Sequence, residues 1–163
     1  MFRIGQSSDI HRFKEGNHIV LGGVKIDHTK GMEAHSDGDA LCHAIGEAIL
    51  GALALGDLGH HFPDTDPKYS GISSLLILEE VYKLMDEKGY KINNVDSLIL
   101  IERPKMAPHI ETMRSNIASV LHTDIDNVSV KATRGEKIGF IGREEGVLAQ
   151  CVVLLCKKVK IND

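Results

Sequence analysis

One stretch constrains the fold more than any other: His35 to Gly59, HSDGDALCHAIGEAILGALALGDLG. Ser36 reads as a helix N-cap, with Asp39 in the capping-box relation to it. Leu41, Ile45, Ala48, Ile49 and Ala52 recur at helical spacing and make one broad apolar face. His43 projects opposite the centre of that face, with Asp39 one turn before it and Glu47 one turn after. Beyond Gly46 the helix is apolar nearly all round, which predicts burial. A helix that buries most of itself yet keeps one histidine on a polar stripe points to a site.

The rest of the chain narrows the class. At 163 residues, one domain over 1–163 is expected, large enough to bury roughly 70% of its unfolded surface. With 42% hydrophobic and 26% charged residues, the composition is that of a soluble globular protein. No stretch approaches the roughly 20 apolar residues of a membrane span. The N-terminus, MFRIGQSSDIHRF, lacks a signal core and transit character, so a cytoplasmic protein with no membrane partner is expected, and a 163-residue chain beginning with Met favours a stand-alone bacterial one. Cys42, Cys151 and Cys156 are odd in number and set in apolar surroundings, so free thiols are expected rather than a disulfide. A net charge of -4 gives no basic footprint for nucleic acid. Nine histidines in so short a chain make a metal site worth testing.

In chain order, Phe2 to Phe13 reads as a strand, with His18 to Leu21 and Val24 to Ile26 as the next two. Asp9 and His11 are two apart, so they share one face of the first strand. With His43 they make two histidines and a carboxylate, the three-ligand pattern of a catalytic zinc site. The same set is the facial triad of non-heme iron oxygenases, so ligand identity alone does not choose the metal. Gly56 to Pro67 is a loop holding Asp57, Asp64 and Asp66, carboxylates suited to substrate hydroxyls; adjacent His60 and His61 read as non-ligands. Helices follow at Ser73 to Lys88 and Ile110 to Leu121, and strands at Val95 to Ile101, Val128 to Thr133 and Val147 to Val159. Prolines in Glu102 to His109 leave backbone groups outside any ladder, free to read a planar base edge. Thr133 to Gly146, glycine-rich with Arg134, Lys137 and Arg143, is an anion cradle but no Walker motif. This order predicts an α/β (α+β) two-layer sandwich, a mixed sheet covered on one face by about three helices.

Taken together, SDIHRF, AHSDGDALCHA, ALGDLGHHFPDTD, NVDSLIL with ERPKMAPHI, and VKAT…E…GF.GR.EG resemble the 2-C-methyl-D-erythritol 2,4-cyclodiphosphate synthase family of the non-mevalonate isoprenoid pathway. The resemblance spans essentially the whole chain. It implies a lyase that cyclises 4-diphosphocytidyl-methylerythritol 2-phosphate and releases CMP. It implies Zn2+ on Asp9, His11 and His43, and a second ion, Mg2+ or Mn2+, on Glu136. His35 and Ser36 match residues that hold the second phosphate, His35 with a catalytic role. Asp57, Leu58 and Gly59, with Phe62, Pro63, Asp64, Thr65 and Asp66, match the methylerythritol pocket. Ile101, Glu102, Arg103, Pro104, Lys105, Met106 and Ala107 match the cytidine pocket, together with Thr133. The family is a homotrimer with active sites between subunits, and Phe140 and Arg143 match an axial cavity that accepts isoprenoid diphosphates.

Two departures stand out. The family run Lys-Ala-Thr-Thr-x-Glu is here Lys131-Ala132-Thr133-Arg134-Gly135-Glu136, so Arg134 replaces a threonine that the resemblance places at the transition state, and the catalytic contact falls to Arg134, donating to the same phosphate, or to Thr133. Gly-Arg-Glu-Glu-Gly replaces Gly-Arg-Gly-Glu-Gly, adding Glu144 beside the axial cavity. Two other readings compete. An iron oxygenase would need a jelly roll of many short strands, and a metal-buffering module would leave the carboxylate loop and Pro104 to Pro108 without a purpose.

Overall fold

Alternation along the first strand sorts its side chains between two environments. In β1 (Phe2–Lys14), Gly5, Ser7 and Phe13 are buried, whereas Phe2, Ile4 and Ile10 are exposed. The computed structural model describes residues 1–159; residues 160–163 of the expected 1–163 domain lie outside the described residues. After β1 come β2 (His18–Leu21), β3 (Val24–Asp27), β4 (Gly31–Met32), α1 (Ala40–Ala52), α2 (Leu58–His61) and α3 (Ser74–Glu87). The chain continues through β5 (Tyr90–Leu100), α4 (Ile110–Val120), β6 (Val128–Thr133), α5 (Gly139–Gly142) and β7 (Gly146–Lys157).

Five strands form one sheet in the order β4-β1-β7-β5-β6, and β2 and β3 pair separately as a hairpin. β5 and β6 run parallel while the other pairs are antiparallel, so the sheet is mixed as expected. α1 lies on β1 and β7, α4 packs on β6, and α3 bridges α1 and α4. The core is the layer between: Ile45, Ile49 and Leu50 from α1 meet Val147, Ala149 and Val153 of β7 and Ile99 of β5. α1 comes so close to β1 that a Cβ on Gly5 would sit 1.9 Å from the Ala48 carbonyl oxygen.

The N-cap of α1 is Asp39, not Ser36. Asp39 is fully buried and its Oδ1 accepts from the Cys42 N–H at 3.0 Å. The same carboxylate accepts from the Gly22 and Gly23 N–H groups at 2.9 and 2.7 Å, tying the β2–β3 turn to the helix start. A carboxylate reaches both groups where a serine hydroxyl could not. β5 starts at Tyr90 rather than Val95 because its antiparallel pairing with β7 runs back to Tyr90 opposite Lys157, and β7 ends at Lys157 rather than Val159, where that pairing stops. The short α2, α5 and β4 were not expected, having too few residues for a periodic signal. All three cysteines are free, and burial pushes the Cys151 thiol up to about 12. No helix among the described residues is long and apolar enough to cross a membrane.

Candidate active site

Every residue of α1 from Ala40 to Leu50 is buried except His43 and Glu47, the stripe predicted for it. β1 supplies the facing groups. Asp9 Oδ2 lies 2.9 Å from His11 Nε2 and 3.3 Å from His43 Nδ1, and those nitrogens are 3.2 Å apart. These three residues are the group among the described residues whose ligand atoms converge as a metal site requires. A tetrahedral ion with bonds of about 2.0–2.1 Å holds its ligands roughly 3.3 Å apart, so the spacing fits. Asp9 Oδ2 is buried and makes no aligned hydrogen bond among the described residues, which fits an oxygen meant for a cation.

The electrostatics suit that use. Burial acts to raise the Asp9 pKa, but the His11 and His43 imidazoles beside it outweigh that and bring it down to about 2. Burial acts to lower His11, and Asp9 overrides it, so the imidazole sits above its ordinary value. His11 Nδ1 faces the Glu33 carbonyl oxygen at 3.3 Å, an acceptor that leaves Nε2 free to ligate.

The triad opens into a cleft of 280 Å³ that also takes in His35, Ser36, Leu58, Phe62 and Asp64. Of the loop carboxylates, only Asp64 reaches it. Asp57 caps α2 by accepting from the His60 N–H at 2.9 Å, and Asp66 caps the next turn through the Lys68 N–H at 2.9 Å. Gly59, Pro63 and Thr65 complete the loop without lining the cleft. His60 and His61 stay out of the triad, and His61 Nε2 contacts the Leu55 carbonyl oxygen at 2.8 Å. Sequence reasoning gave no role to Glu47 and Tyr69, which line the cleft. Glu47 accepts from Ser7 Oγ at 3.1 Å, a link between α1 and β1 that its place one turn after His43 foreshadows.

A second cleft, of 760 Å³, is lined by the whole run from Ile101 to Ala107 together with Thr133, Arg134 and Glu136. Gly135 sits beneath it, its N–H donating to Glu102 Oε2 at 2.9 Å; a Cβ there would fall 2.6 Å from the Gly142 nitrogen. His28 also lines this cleft, and no pattern around it marked it. The structure therefore brings Glu136 to the cytidine-matching residues and not to the Asp9 triad. Phe140 and Arg143 line a third cleft with Glu144 and Glu145. Arg143 pairs with Glu145 at 2.9 Å, and Glu144 turns its carboxylate to Arg103, whose Nη2 donates to Oε2 at 2.9 Å.

Fold and site together define a class: a mixed-sheet α/β protein with a triad of potential metal ligands towards one edge of the sheet and a larger cleft towards the other. The chain belongs to the YgbB family, whose family model matches residues 2–156. It is 54% identical over 158 residues to the 2-C-methyl-D-erythritol 2,4-cyclodiphosphate synthase of Bacillus cereus, covering 97% of this chain and 100% of the relative. The Bacillus anthracis synthase is 53% identical over the same 97% and 100% shares. Among solved structures, the bifunctional IspDF of Campylobacter jejuni aligns with a TM-score of 0.92 at 41% identity, over 98% of this chain and 43% of that longer one. IspF of Plasmodium falciparum, solved as a CDP complex, aligns with a TM-score of 0.85 at 36% identity over 97% of each chain.

Proposed function

We infer that this chain is a 2-C-methyl-D-erythritol 2,4-cyclodiphosphate synthase, acting in isoprenoid biosynthesis. The observation that carries the reading is the convergence of Asp9, His11 and His43 at the mouth of a cleft shared with His35 and Ser36. The substrate is the cytidine diphosphate ester of methylerythritol that bears a second phosphate. An oxygen of that phosphate bonds to the β-phosphorus, the bond from the β-phosphorus to the bridging oxygen breaks, and CMP departs with that oxygen. The attacking oxygen is anionic at neutral pH, so no strong base or side-chain nucleophile is needed. The barrier lies in bringing two anions together, and positioning with charge stabilisation lowers it.

Asp9, His11 and His43 would hold zinc, and Glu136 would hold Mg2+ or Mn2+. Bound there, the ions supply the positive charge that a chain of net charge -4 lacks for a polyanionic substrate. His35 and Ser36 hold the second phosphate at the mouth of the metal cleft. Leu58, Phe62 and Asp64 orient the methylerythritol, on a loop that Asp57 and Asp66 stiffen by capping. Backbone groups of Ile101 to Ala107 read the cytosine edge, while Lys105, Thr133 and Arg134 face the phosphates.

The working unit is a homotrimer, with the metal cleft of one subunit completed by the nucleotide cleft of the next. Two observations support this. β1 and β6 are separated by β7 and β5 in the sheet, so the two clefts of one chain stand about 14 Å apart across three strand spacings. The sheet face away from the helices exposes Phe2, Ile4, Ile10 and Val152, an apolar patch of the kind that marks an interface. Arg143 in the third cleft is the group to receive an isoprenoid diphosphate, with Glu145 displaced. The protein works in the cytoplasm as one domain. The iron-oxygenase alternative is not favoured, because the sheet is no jelly roll.

Phosphorus NMR of the purified protein with Zn2+, Mg2+ and this substrate tests the reading. Cyclic diphosphate resonances should grow with those of CMP, and His43→Ala should abolish both. CMP alongside a methylerythritol carrying two separate phosphates, or a linear diphosphate if the α-phosphorus is attacked, would mean that water attacks, and the assignment would fall.

A further inference from the structure

Counting protons around His43 brings in two residues that the triad does not include. Ser74 is fully buried, and its Oγ lies 2.8 Å from His43 Nε2. The same Oγ donates to Asp37 Oδ1 at 2.5 Å, and the Ser74 N–H donates to Asp37 Oδ2 at 3.0 Å. A hydroxyl has one proton, and Asp37, an acceptor, takes it. Ser74 can then meet His43 only as an acceptor, so Nε2 carries the proton and Nδ1 presents its lone pair to Asp9 and His11. Ser36 Oγ, 3.3 Å from the same Nε2, is the longer contact.

Asp37 is itself held firmly. Its Oδ1 also accepts from the Asp39 N–H at 3.1 Å, and its own N–H donates to the Ile72 carbonyl oxygen at 3.2 Å. A second bond, Gly71 N–H to the His35 carbonyl oxygen at 2.8 Å, runs alongside. Ser73, the N-cap of α3, makes no side-chain cap bond, so Asp37 caps that helix from another part of the chain. One carboxylate thus joins the His35–Asp37 segment, the start of α3 and, through Ser74, a ring that ligates.

We propose that Ser74 and Asp37 are positioning residues that set the tautomer and orientation of His43 and so raise the metal affinity of the Asp9–His11–His43 site. The proposal rests on the reading of that triad as a metal centre. Outer hydrogen-bond partners of ligating histidines typically govern metal affinity by about 10- to 100-fold. Ser74→Ala removes the acceptor and leaves the ring to the longer Ser36 contact; Asp37→Asn replaces with a donor one of the two oxygens that accept from three N–H or O–H groups.

The test measures Zn2+ affinity of the full chain by competition with a chromophoric chelator, and the visible spectrum of the Co2+-loaded protein, with circular dichroism as the check on folding. Ser74→Ala and Asp37→Asn are each expected to weaken Zn2+ binding by about 10- to 100-fold and to alter the Co2+ bands. Ser73→Ala, one residue away, should leave both as in the unsubstituted chain. If Ser74→Ala does not fold, Asp37→Asn, which keeps the side-chain volume, carries the test. Unchanged affinity and spectrum in folded Asp37→Asn or Ser74→Ala would overturn the proposal, even if those variants melt earlier, because only a capping role would remain. Failure of the unsubstituted chain to bind Zn2+ would instead overturn the metal reading beneath it.

Discussion

Arg134 is exposed beside Thr133 and Glu136 in the second cleft, where the resemblance set out above leads one to expect a second threonine. An exposed arginine loses rotamer freedom on engaging a phosphate and is screened by water, which limits its gain to about one hydrogen bond. Arg134→Thr should therefore change the rate by less than about tenfold in steady-state assays. A loss beyond about a hundredfold would mean that Arg134 has become a principal donor to the transition state. Glu144 tells a related story. Its φ of 56° lies where glycine is favoured, yet its carboxylate is bound to Arg103 rather than facing Arg143. Its negative charge is directed at Arg103 in the wall of the second cleft, a partner that sequence spacing does not disclose.

At the scale of elements, the metal centre is a joint between β1 and α1, and its geometry depends on how closely the two pack. Gly5 permits that approach. A methyl group there would fall 1.9 Å from the Ala48 carbonyl oxygen and 2.8 Å from the Ala52 nitrogen, both backbone atoms that cannot rotate away. Gly5→Ala should lower stability by about 1–3 kcal/mol in denaturant melts, the usual cost of overpacking. It should also weaken Zn2+ binding, since moving α1 carries His43 away from Asp9 and His11. A variant that melts earlier yet binds Zn2+ unchanged would show that the helix slides without disturbing the joint. The ligands themselves were legible beforehand: Asp9 and His11 by period two, His43 by its place opposite an apolar face. The caps were not. Ser36, Asp39 and Asp37 lie close together in one acidic run, and only the packed hairpin and α3 decide which of them caps which helix.

For the whole molecule, the question is what covers the open face of the sheet. Ile4 is 71% exposed in a strand whose other face is core, and Phe2 and Ile10 flank it on the same side. Ile4→Asp places a charge in that patch, and desolvating it in an interface is costly. Sedimentation is expected to show trimers for the unsubstituted chain and smaller species for Ile4→Asp, with turnover lost and Zn2+ binding kept. The split follows because all three ligands belong to one chain, whereas the nucleotide cleft would come from a neighbour. Full activity in a monomeric variant would end the shared-site reading.

Periodicity and residue chemistry, local quantities, determined the strand carrying Asp9 and His11, the buried helix carrying His43, the free thiols and the two-layer plan. Tertiary structure alone decided that Glu136 stands across the sheet from the triad, that Asp57 and Asp66 cap turns, and that Asp37 and Ser74 brace His43 from 37 residues apart. The reason is physical. A side chain's face follows from the backbone beside it, but which distant groups it meets depends on how whole elements pack, and no spacing along the chain encodes that distance.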